Sequence, residues 1–350
     1  MTVLHTTLAI GQQQARARWG THASGEAFDR KKSSYLTEQA QQFLAQQAIC
    51  VVAGLDLQNE LSGLLVLGTP GFVQTPDEHT CLLRLDKHLG SSRILQRLLQ
   101  SPQNGQVGQL GLFFICHPTR ERLCVHGTAE LLPHGPIDQP AQLHESIWVR
   151  LQVVQSFFHC SKYIKTRAAG LTHPGIVSWE RMWQLHHLHG YSQQHLSEAV
   201  SAFISEQVLC FLCTVDQEGR CAVNHRGGAA GFLVTLPPDA ASPGGTVLLP
   251  DYAGNGAFEA IGNILETGQV ALVIPNYVAH LALCVSGSAR IVELGQLSTE
   301  LAHSCRGAER VIVLSVQRVE AQHNDWSATL AYERARAESL QTNAGNACHV

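Results

Sequence analysis

The two halves of the chain repeat each other at a constant spacing, and this repeat constrains the possible fold more than any other feature. A shift of 160 positions places Gly71 on Gly231, and five of the seven residues from 123 to 129 recur from 283 to 289. An ungapped self-match of this length indicates a duplicated structural unit. The alternative is that two β-rich segments share Val, Leu and Gly by chance; we interpret the chain as one domain present twice.

Each half begins with a helical pattern and continues with short apolar runs. Thr37 and Ser197 precede the helical patterns, and their hydroxyls can cap free N–H groups. About six antiparallel strands and few helices per half predict a mainly β protein, with a small closed or partly closed barrel in each half. The predicted strands are 49–53, 64–67, 81–85, 108–115, 122–131 and 148–158 in the first half, and 209–215, 221–224, 246–249, 270–274, 281–292 and 310–319 in the second.

The repeat also predicts how the chain divides. A length of 350 residues suffices for two compact domains. The segment between the halves contains Gly, Pro and a His-rich patch, and we interpret it as a linker that is helical around residues 179–188. We expect five segments: an N-terminal extension at 1–35, a first barrel at 36–167, the linker at 168–194, a second barrel at 195–335 and a C-terminal tail at 336–350.

Charge and hydropathy exclude several classes of partner. The 24 Lys and Arg residues against 28 Asp and Glu give a net charge of −4, and no basic stripe could neutralise successive phosphates of a nucleic acid. No apolar run reaches the roughly 18 to 20 residues that span a bilayer, and the N-terminus lacks a signal-peptide pattern. We therefore expect a cytoplasmic protein without a membrane or nucleic-acid partner. The 11 cysteines lie mostly in apolar runs, which predicts reduced core residues.

One glycine-rich tract and one Asn-containing tract in the second half carry a family resemblance. The tracts are His225-Arg226-Gly227-Gly228 and the segment from Pro250 to Asn263, which begins Pro-Asp-Tyr and contains Gly254-Asn255 and Gly262-Asn263. Together they resemble the pyridoxamine 5′-phosphate oxidase-like family of flavin-binding split barrels. The resemblance covers residues 196–322 clearly and the first half only as a decayed copy. Ala253 stands where the family usually has Arg or Lys, which removes one expected cation.

The resemblance implies two tandem split β-barrels of the FMN-binding type, with FMN as the cofactor. A further tract, Cys160-Ser161-Lys162-Tyr163-Ile164-Lys165, looks like the Cys-Pro-Lys-Tyr-Ile tract of tandem family members, and by analogy this end of the first half crosses to the flavin site. The expected cofactor-binding residues are Asn224, His225, Arg226, Gly227, Asn255, Asn263, Lys162, Tyr163 and Arg167.

The residue types suit a phosphorylated flavin, although each has a plainer interpretation. The planar guanidinium of Arg226 can hold phosphate oxygens, and Gly227 lets backbone N–H groups approach; Arg226 could instead form an ordinary surface ion pair. The amides of Asn255 and Asn263 can contact phosphate or ring atoms, or cap a helix predicted at 257–265. The basic tract could be a solvated strand exit. In the repeat, Arg226 falls on Val66, which favours one flavin in the crevice between the barrels.

Other motifs give no competing site. Cys210 and Cys213 have CxxC spacing, but on a strand they point to opposite faces, so we expect no metal there. A His-rich patch at 186–189 could bind a metal or haem iron, although a solvated linker is the simpler interpretation. Sequence signatures of dinucleotide-binding folds, hydrolases and NTPases are absent.

The sequence thus predicts an FMN-dependent oxidoreductase that acts on a small molecule by hydride transfer through the flavin. Alternatives are a haem-binding or haem-degrading split barrel, a flavin protein without turnover and a structural tandem barrel; a deazaflavin could also replace FMN. No catalytic residue is assigned; His225, beside Arg226 and expected to titrate near neutrality, is a candidate proton donor or substrate contact, and the alternative is a structural histidine. The protein could form a homodimer or act as a monomer whose two barrels form an internal pseudo-dimer.

Overall fold

Two antiparallel sheets, one from each half of the chain, form the framework of the molecule. The computed structural model describes residues 8–20, 22–104, 108–132, 146–159, 192–254, 256–323 and 325–346. The strands of the first half are β1 Ile49–Leu55, β2 Leu61–Leu67, β3 Val73–Asp77, β4 Thr80–Asp86, β5 Gly108–Cys116, β6 Glu121–Leu132 and β7 Ser146–Phe158. Those of the second half are β8 Ser192–Gln193, β9 Leu209–Val215, β10 Cys221–Gly227, β11 Val234–Leu236, β12 Thr246–Asp251, β13 Gln269–Asn276, β14 Leu281–Glu293 and β15 Arg310–His323.

Helices flank both sheets, and two short 3₁₀ turns lie at Lys87–Ser91 and Leu294–Gln296. The predicted N-terminal hydroxyl caps form, because Thr37 accepts from the Ala40 N–H and Ser197 from the Val200 N–H. The helices are α1 Ile10–Trp19, α2 His22–Asp29, α3 Glu38–Ala45, α4 Arg93–Asn104, α5 Glu198–Glu206, α6 Glu259–Thr267, α7 Thr299–Ser304 and α8 Ser327–Asn346.

The two sheets share one strand order. It runs β2-β1-β5-β6-β7-β4-β3 in the first half and β10-β9-β13-β14-β15-β12-β11 in the second, with β8 pairing to β15 outside this path. The register agrees as well: in each sheet the pairing shifts by one residue at an equivalent position, at His126/Gly127 of β6 opposite β7 and at Ser286/Gly287 of β14 opposite β15. The protein is mainly β and consists of two tandem split barrels, as the sequence predicted.

Strand alternation divides the apolar side chains between the barrel interiors and a core shared by both halves. On β9, Cys210 and Leu212 point into the second barrel, whereas Phe211 and Cys213 pack against residues of the first half such as Phe113. Cys210 and Cys213 therefore lie on opposite faces, as the sequence predicted. Strand β9 is buried on both sides, which explains its nearly continuous apolar sequence. Every cysteine within the described ranges is buried and free.

Some elements differ from the sequence prediction. The first sheet has seven strands and the second has eight, whereas six were predicted in each half, because β3, the two-residue β8 and the three-residue β11 were not predicted. Pro76 within β3 weakens its strand pattern, since proline cannot donate to a ladder. The helix predicted at 257–265 begins at Glu259. The N-terminal extension contains α1 and α2, and α8 runs across the expected boundary at residue 335; the predicted linker helix lies outside the described residues. In the described part of the chain, no helix combines the length and hydropathy needed to cross a membrane.

Candidate functional site

A cavity of about 260 Å³ lies where the second barrel meets the first barrel and the N-terminal helices. Most of its wall comes from the second barrel: the end of β10, the end of β12, the loop after β12 and the first turn of α6. The start of β15 adds Arg310, the first barrel adds Arg122 and His159, and α2 adds Phe28. The cavity thus lies in the crevice between the barrels, at the place that the repeat predicted for a single ligand.

An ion-paired cluster forms one side of this cavity. Asp251 at the end of β12 is 4% exposed and accepts from Arg226 on β10 through one carboxylate oxygen. Its other oxygen lies 2.8 Å from Nε of Arg310, because the register of β12 and β15 places these two residues directly opposite each other. Arg310 also pairs with Glu309 at its exposed side. One buried carboxylate therefore holds two guanidinium groups at the cavity wall.

Several donors of the cavity-lining residues have no hydrogen-bond partner among the described residues. They are Nε of Arg226, Nη1 of Arg310 and Nδ2 of Asn224, and all three atoms are buried. A buried donor without an acceptor costs about 1–3 kcal/mol, and most such groups in proteins find a partner. An anionic or carbonyl-bearing ligand in the cavity would supply acceptors for these donors.

The beginning of α6 adds a further attraction for anions. Its N-cap residue, Phe258, has a left-handed backbone with φ +55° and provides no side-chain cap. The first turn, residues 259–261, lines the cavity. Uncapped N–H groups and the positive end of the helix dipole favour a negative group at this position.

Glu259 brings a carboxylate into the same first turn, and a neighbouring lysine compensates its negative charge. Its oxygen lies 3.5 Å from Nζ of Lys32, which follows α2. Burial raises the pKa of Glu259, but the Lys32 ammonium and neighbouring histidines together outweigh burial and hold this pKa below its ordinary value. Glu259 is therefore ionised at neutral pH, and Arg122, Arg226 and Arg310 outnumber the two cavity carboxylates, Asp251 and Glu259.

Two histidines line the cavity as neutral imidazoles. Burial, followed by the charge of Arg122, lowers the pKa of His159 to about 3. Burial also lowers the pKa of His225 well below its ordinary value, and His117 and Arg122 add to this effect. The expectation that His225 titrates near neutrality is therefore wrong, because burial and neighbouring cationic groups disfavour the charged form of the ring. His225 can accept or donate a hydrogen bond but holds no spare proton at neutral pH.

The structure brings part of the predicted site together. Asn224, His225, Arg226 and Gly227 all line the cavity. Asn263 does not: it is buried within α6, and its amide donates to Oγ1 of Thr214 at 3.1 Å. The prediction that Asn263 contacts a cofactor is therefore wrong, because this amide attaches α6 to β9. The predicted site residues Asn255, Lys162, Tyr163 and Arg167 lie outside the described residues.

Sequence reasoning missed several cavity residues. Asp251 lay within the quoted Pro-Asp-Tyr tract, and its acidic side chain beside a predicted cation could have been recognised. Arg310 is 59 positions further along the chain and reaches Asp251 only through the pairing of β12 with β15. Arg122, His159 and Phe28 come from the first barrel and from α2, so only the tertiary arrangement of the halves reveals them.

The fold is that of a tandem split-barrel protein, and the cavity lies between its two barrels. The family model for pyridoxamine 5′-phosphate oxidase matches residues 196–323, so the second barrel belongs to the pyridoxamine 5′-phosphate oxidase-like family. The match covers β9 to β15 and the cluster around Asp251. It does not include α1, α2 or the first barrel.

Solved structures with a similar fold are distant in sequence. HupZ from Group A Streptococcus is 16% identical, with 35% of this chain and 91% of that chain covered and a TM-score of 0.27. HutZ, a haem storage protein from Vibrio cholerae, is 16% identical, with 35% and 89% covered and a TM-score of 0.22. A pyridoxamine 5′-phosphate oxidase-related, FMN-binding protein from Nostoc punctiforme is 10% identical, with 33% and 75% covered and a TM-score of 0.22. No protein of curated function matches the chain.

Proposed function

We propose that the cavity between the barrels binds FMN and that the protein is an FMN-dependent oxidoreductase acting on a small molecule. The observation that carries this proposal is the cluster of Arg226, Asp251 and Arg310, whose buried unpartnered donors line the cavity. A phosphate group supplies acceptors for these donors, and guanidinium groups bind phosphate through short, charge-assisted hydrogen bonds. The uncapped first turn of α6 favours the same dianion.

The rest of the cavity suits a flat, partly polar ring. Phe28, Tyr252 and Phe258 provide apolar and aromatic surface in the wall. Asn224 offers an amide that can donate and accept at once, which matches the alternating groups at the edge of a flavin ring. Such walls, mainly apolar with a few fixed polar groups, are typical of cofactor sites.

The chain's own residues would bind and orient the cofactor, while bound FMN supplies hydride transfer. Arg226 and Arg310 would neutralise the phosphate, and Asp251 keeps both guanidinium groups in place. The neutral rings of His159 and His225 would position a substrate or the cofactor through hydrogen bonds. The lowered pKa values keep both rings in the neutral form, in which each ring can donate one hydrogen bond and accept another.

We further propose that the two barrels, at 36–167 and 195–335, arose by duplication and that only one crevice kept a cofactor site. Val66 on β2 occupies the position that Arg226 occupies on β10: Val66 pairs with Cys50 and Arg226 with Cys210. The related crevice in the first half is covered by α8, which donates through Thr329 Oγ1 to the Gly68 carbonyl at 2.7 Å. The barrels would thus act as a pseudo-dimer within one chain.

A haem-binding function is the second candidate, and the two neutral histidines favour it. A neutral imidazole nitrogen is a common ligand of haem iron, and both His159 and His225 line the cavity. His159 Nε2 lies 3.1 Å from Sγ of buried Cys124, so this ring nitrogen is engaged within the protein. FMN is the first candidate because Cys124 already occupies one ring nitrogen of His159 and because the uncapped first turn of α6 suits a phosphate.

Titration of the purified full-length protein with FMN, with haem and with a deazaflavin tests the proposal. We expect FMN to bind, with a shifted absorption spectrum and changed flavin fluorescence, and haem to give no Soret band of a ligated iron. Haem binding without FMN binding would favour the second candidate, and binding of none of the three would refute the proposed site. Anaerobic bleaching of the bound flavin by NAD(P)H or candidate substrates then separates an oxidoreductase from a flavin protein without turnover.

A further inference from the structure

The N-terminal segment, residues 8–32, packs against the loop that forms the cavity wall. This segment lies outside the family match at 196–323 and contains α1 and α2. The loop in question, residues 252–258, joins β12 to α6 and is described except for residue 255. The segment contacts this loop, α6 and Arg310.

The Ala257 carbonyl, near the end of the loop, receives three hydrogen bonds from α1. Gln12 Nε2 donates at 2.6 Å, and Arg16 donates at 3.2 Å from both Nε and Nη2. Arg16 is 3% exposed and is itself held by Asp29 of α2, with Nη1 to Oδ2 at 2.6 Å and Nη2 to Oδ1 at 3.0 Å. A buried, bidentate guanidinium is a rigid donor, because its geometry is fixed on both sides.

The bonded carbonyl lies immediately before a strained residue. Phe258 has φ +55°, a conformation that is unfavourable for a bulky side chain and persists only where the surroundings enforce it. The residues that follow Phe258 form the first turn of α6 and line the cavity. Donation from Arg16 therefore acts on the one backbone segment whose conformation decides where the N–H groups of that turn point.

The same segment also contacts two charged cavity residues. The guanidinium of Arg310 lies between the rings of Trp19 and Phe258, with its central carbon 5.3 Å and 5.0 Å from their centroids. Lys32 lies 3.5 Å from the Glu259 carboxylate. Stacking of this kind restricts a guanidinium to one plane.

Close helix packing fixes the position of α1. A Cβ atom on Gly11 would collide with the carbonyl oxygen of Gly262, so the backbones of α1 and α6 touch. The N–H of Gly11 donates to Oε1 of Glu266 at 2.6 Å. Helix α1 can approach α6 this closely only while both positions lack a side chain.

We propose that Arg16 is a positioning residue for the cofactor cavity: through the Ala257 carbonyl it holds residues 256–258 and the first turn of α6 in the conformation that retains a phosphorylated flavin. The proposal rests on the proposed function for the identity of the ligand, but not for the effect of Arg16 on the loop. Without Arg16, the loop gains freedom and a bound flavin leaves faster.

Hydrogen exchange of the full-length protein without added flavin tests the effect on the loop. In Arg16→Gln, which loses both hydrogen bonds from the guanidinium to the Ala257 carbonyl, we expect exchange of the amides in residues 252–261 to rise by at least about tenfold, while amides of β9 and β13 keep their rates. Arg16→Lys should recover part of the protection. The matched control is Arg18→Gln on the same helix: Arg18 is exposed, pairs with Glu293 and lies over the ring of Trp19, so its loss removes a cation from α1 without removing a donor to the Ala257 carbonyl. A rise of similar size throughout the second barrel would overturn the proposal, since Arg16 would then serve only global stability.

A second variant keeps every polar side chain. Gly11→Ala favours the helical state of α1 itself, yet its Cβ must push α1 away from Gly262. We expect the same local increase in exchange at residues 252–261. Unchanged exchange in both Gly11→Ala and Arg16→Gln would overturn the proposal, because the loop would then hold its conformation without α1.

Flavin release provides the second readout. FMN bound to each variant is displaced by an excess of a non-fluorescent flavin phosphate analogue, and the release of FMN is followed by the change in FMN fluorescence. We expect about tenfold faster release from Arg16→Gln and wild-type release from Arg18→Gln. If wild-type protein binds no FMN, the proposed function fails while the exchange experiment still decides the role of Arg16. If FMN binds and neither release nor loop exchange changes in Arg16→Gln, the role of Arg16 is refuted and the proposed function stands.

Discussion

Arg310 lies directly opposite Asp251 on neighbouring strands, and its Nε atom is 2.8 Å from Oδ2 of that carboxylate. Both side chains are almost fully buried. The first barrel contains a cross-strand pair of the same kind, Arg150 opposite Glu130, in which both side chains are half exposed. The two pairs share strand geometry and differ in burial, so together they measure what burial adds to an ion pair in this fold.

The buried pair should be sensitive to loss of its carboxylate. Asp251→Asn leaves Arg226 and Arg310 without their common counter-ion, and we expect the free energy of unfolding to fall by about 3–5 kcal/mol. Glu130→Gln, the matched control, should lower it by less than about 1 kcal/mol, since exposed pairs contribute little. Urea unfolding followed by tryptophan fluorescence measures both. Equal effects of the two substitutions would show that Asp251 does not compensate the arginines.

How much of the fold and of the cavity could be predicted from the sequence depended on the kind of sequence pattern that marks each part. β9 was predictable because an unbroken apolar run is typical of a strand buried on both faces. Helix α1 was not, because the residues it buries include Gln12 and Arg16, and hydrophobic periodicity cannot detect a helix that packs through polar side chains. The cavity residues Arg226 and His225 were found from a motif, whereas Arg122 became visible only when both barrels were placed together.

Arg226 should determine affinity for the phosphate of the proposed cofactor. Arg226→Gln removes one guanidinium while Asp251 keeps Arg310 as its partner, and we expect FMN affinity to fall by at least about tenfold, the value of a charge-assisted hydrogen bond. Arg220→Gln is the control: Arg220 is on the same strand hairpin but pairs with Asp216 and Glu218 outside the cavity. Fluorescence titration measures both affinities. An unchanged affinity in Arg226→Gln would exclude Arg226 as a phosphate ligand.

A buried carboxylate on α8 should make stability depend on pH. Glu333 is 1% exposed, its oxygens have no hydrogen-bond partner within the described ranges, and Arg336 is 4.0 Å away. Burial raises the pKa of Glu333 from 4.5 to about 7, although Arg336 opposes this. The folded protein therefore binds more protons than the unfolded chain between these values. The contribution of the protonated Glu333 carboxyl group to stability is fully present below pH 4.5 and is lost as the pH rises through 7.

Glu333→Gln should remove this dependence. Above pH 7 we expect the variant to exceed the wild type in free energy of unfolding by about 3 kcal/mol, which corresponds to a shift of this size in pKa, and the difference should vanish near pH 4.5. Urea unfolding at several pH values measures it, with Glu121→Gln, an exposed position, as the control. A difference between Glu333→Gln and wild type that stays constant with pH would contradict the assignment.

One chain should bind one flavin, although it contains two barrels. In the crevice related to the cofactor cavity, the strand position of Arg226 is taken by Val66, which is 1% exposed and offers no charge to a phosphate. The end of that strand is also covered, because Thr329 of α8 bonds the Gly68 carbonyl and the buried Trp326 packs into the core shared by the two halves. Equilibrium dialysis at saturating FMN should therefore give one bound flavin per chain. In Arg226→Gln the same saturation value should be approached only at higher FMN concentration, since that substitution weakens the site without creating another. Two flavins per wild-type chain would show that the covered crevice can open, and the asymmetry between Arg226 and Val66 would then have no bearing on cofactor number.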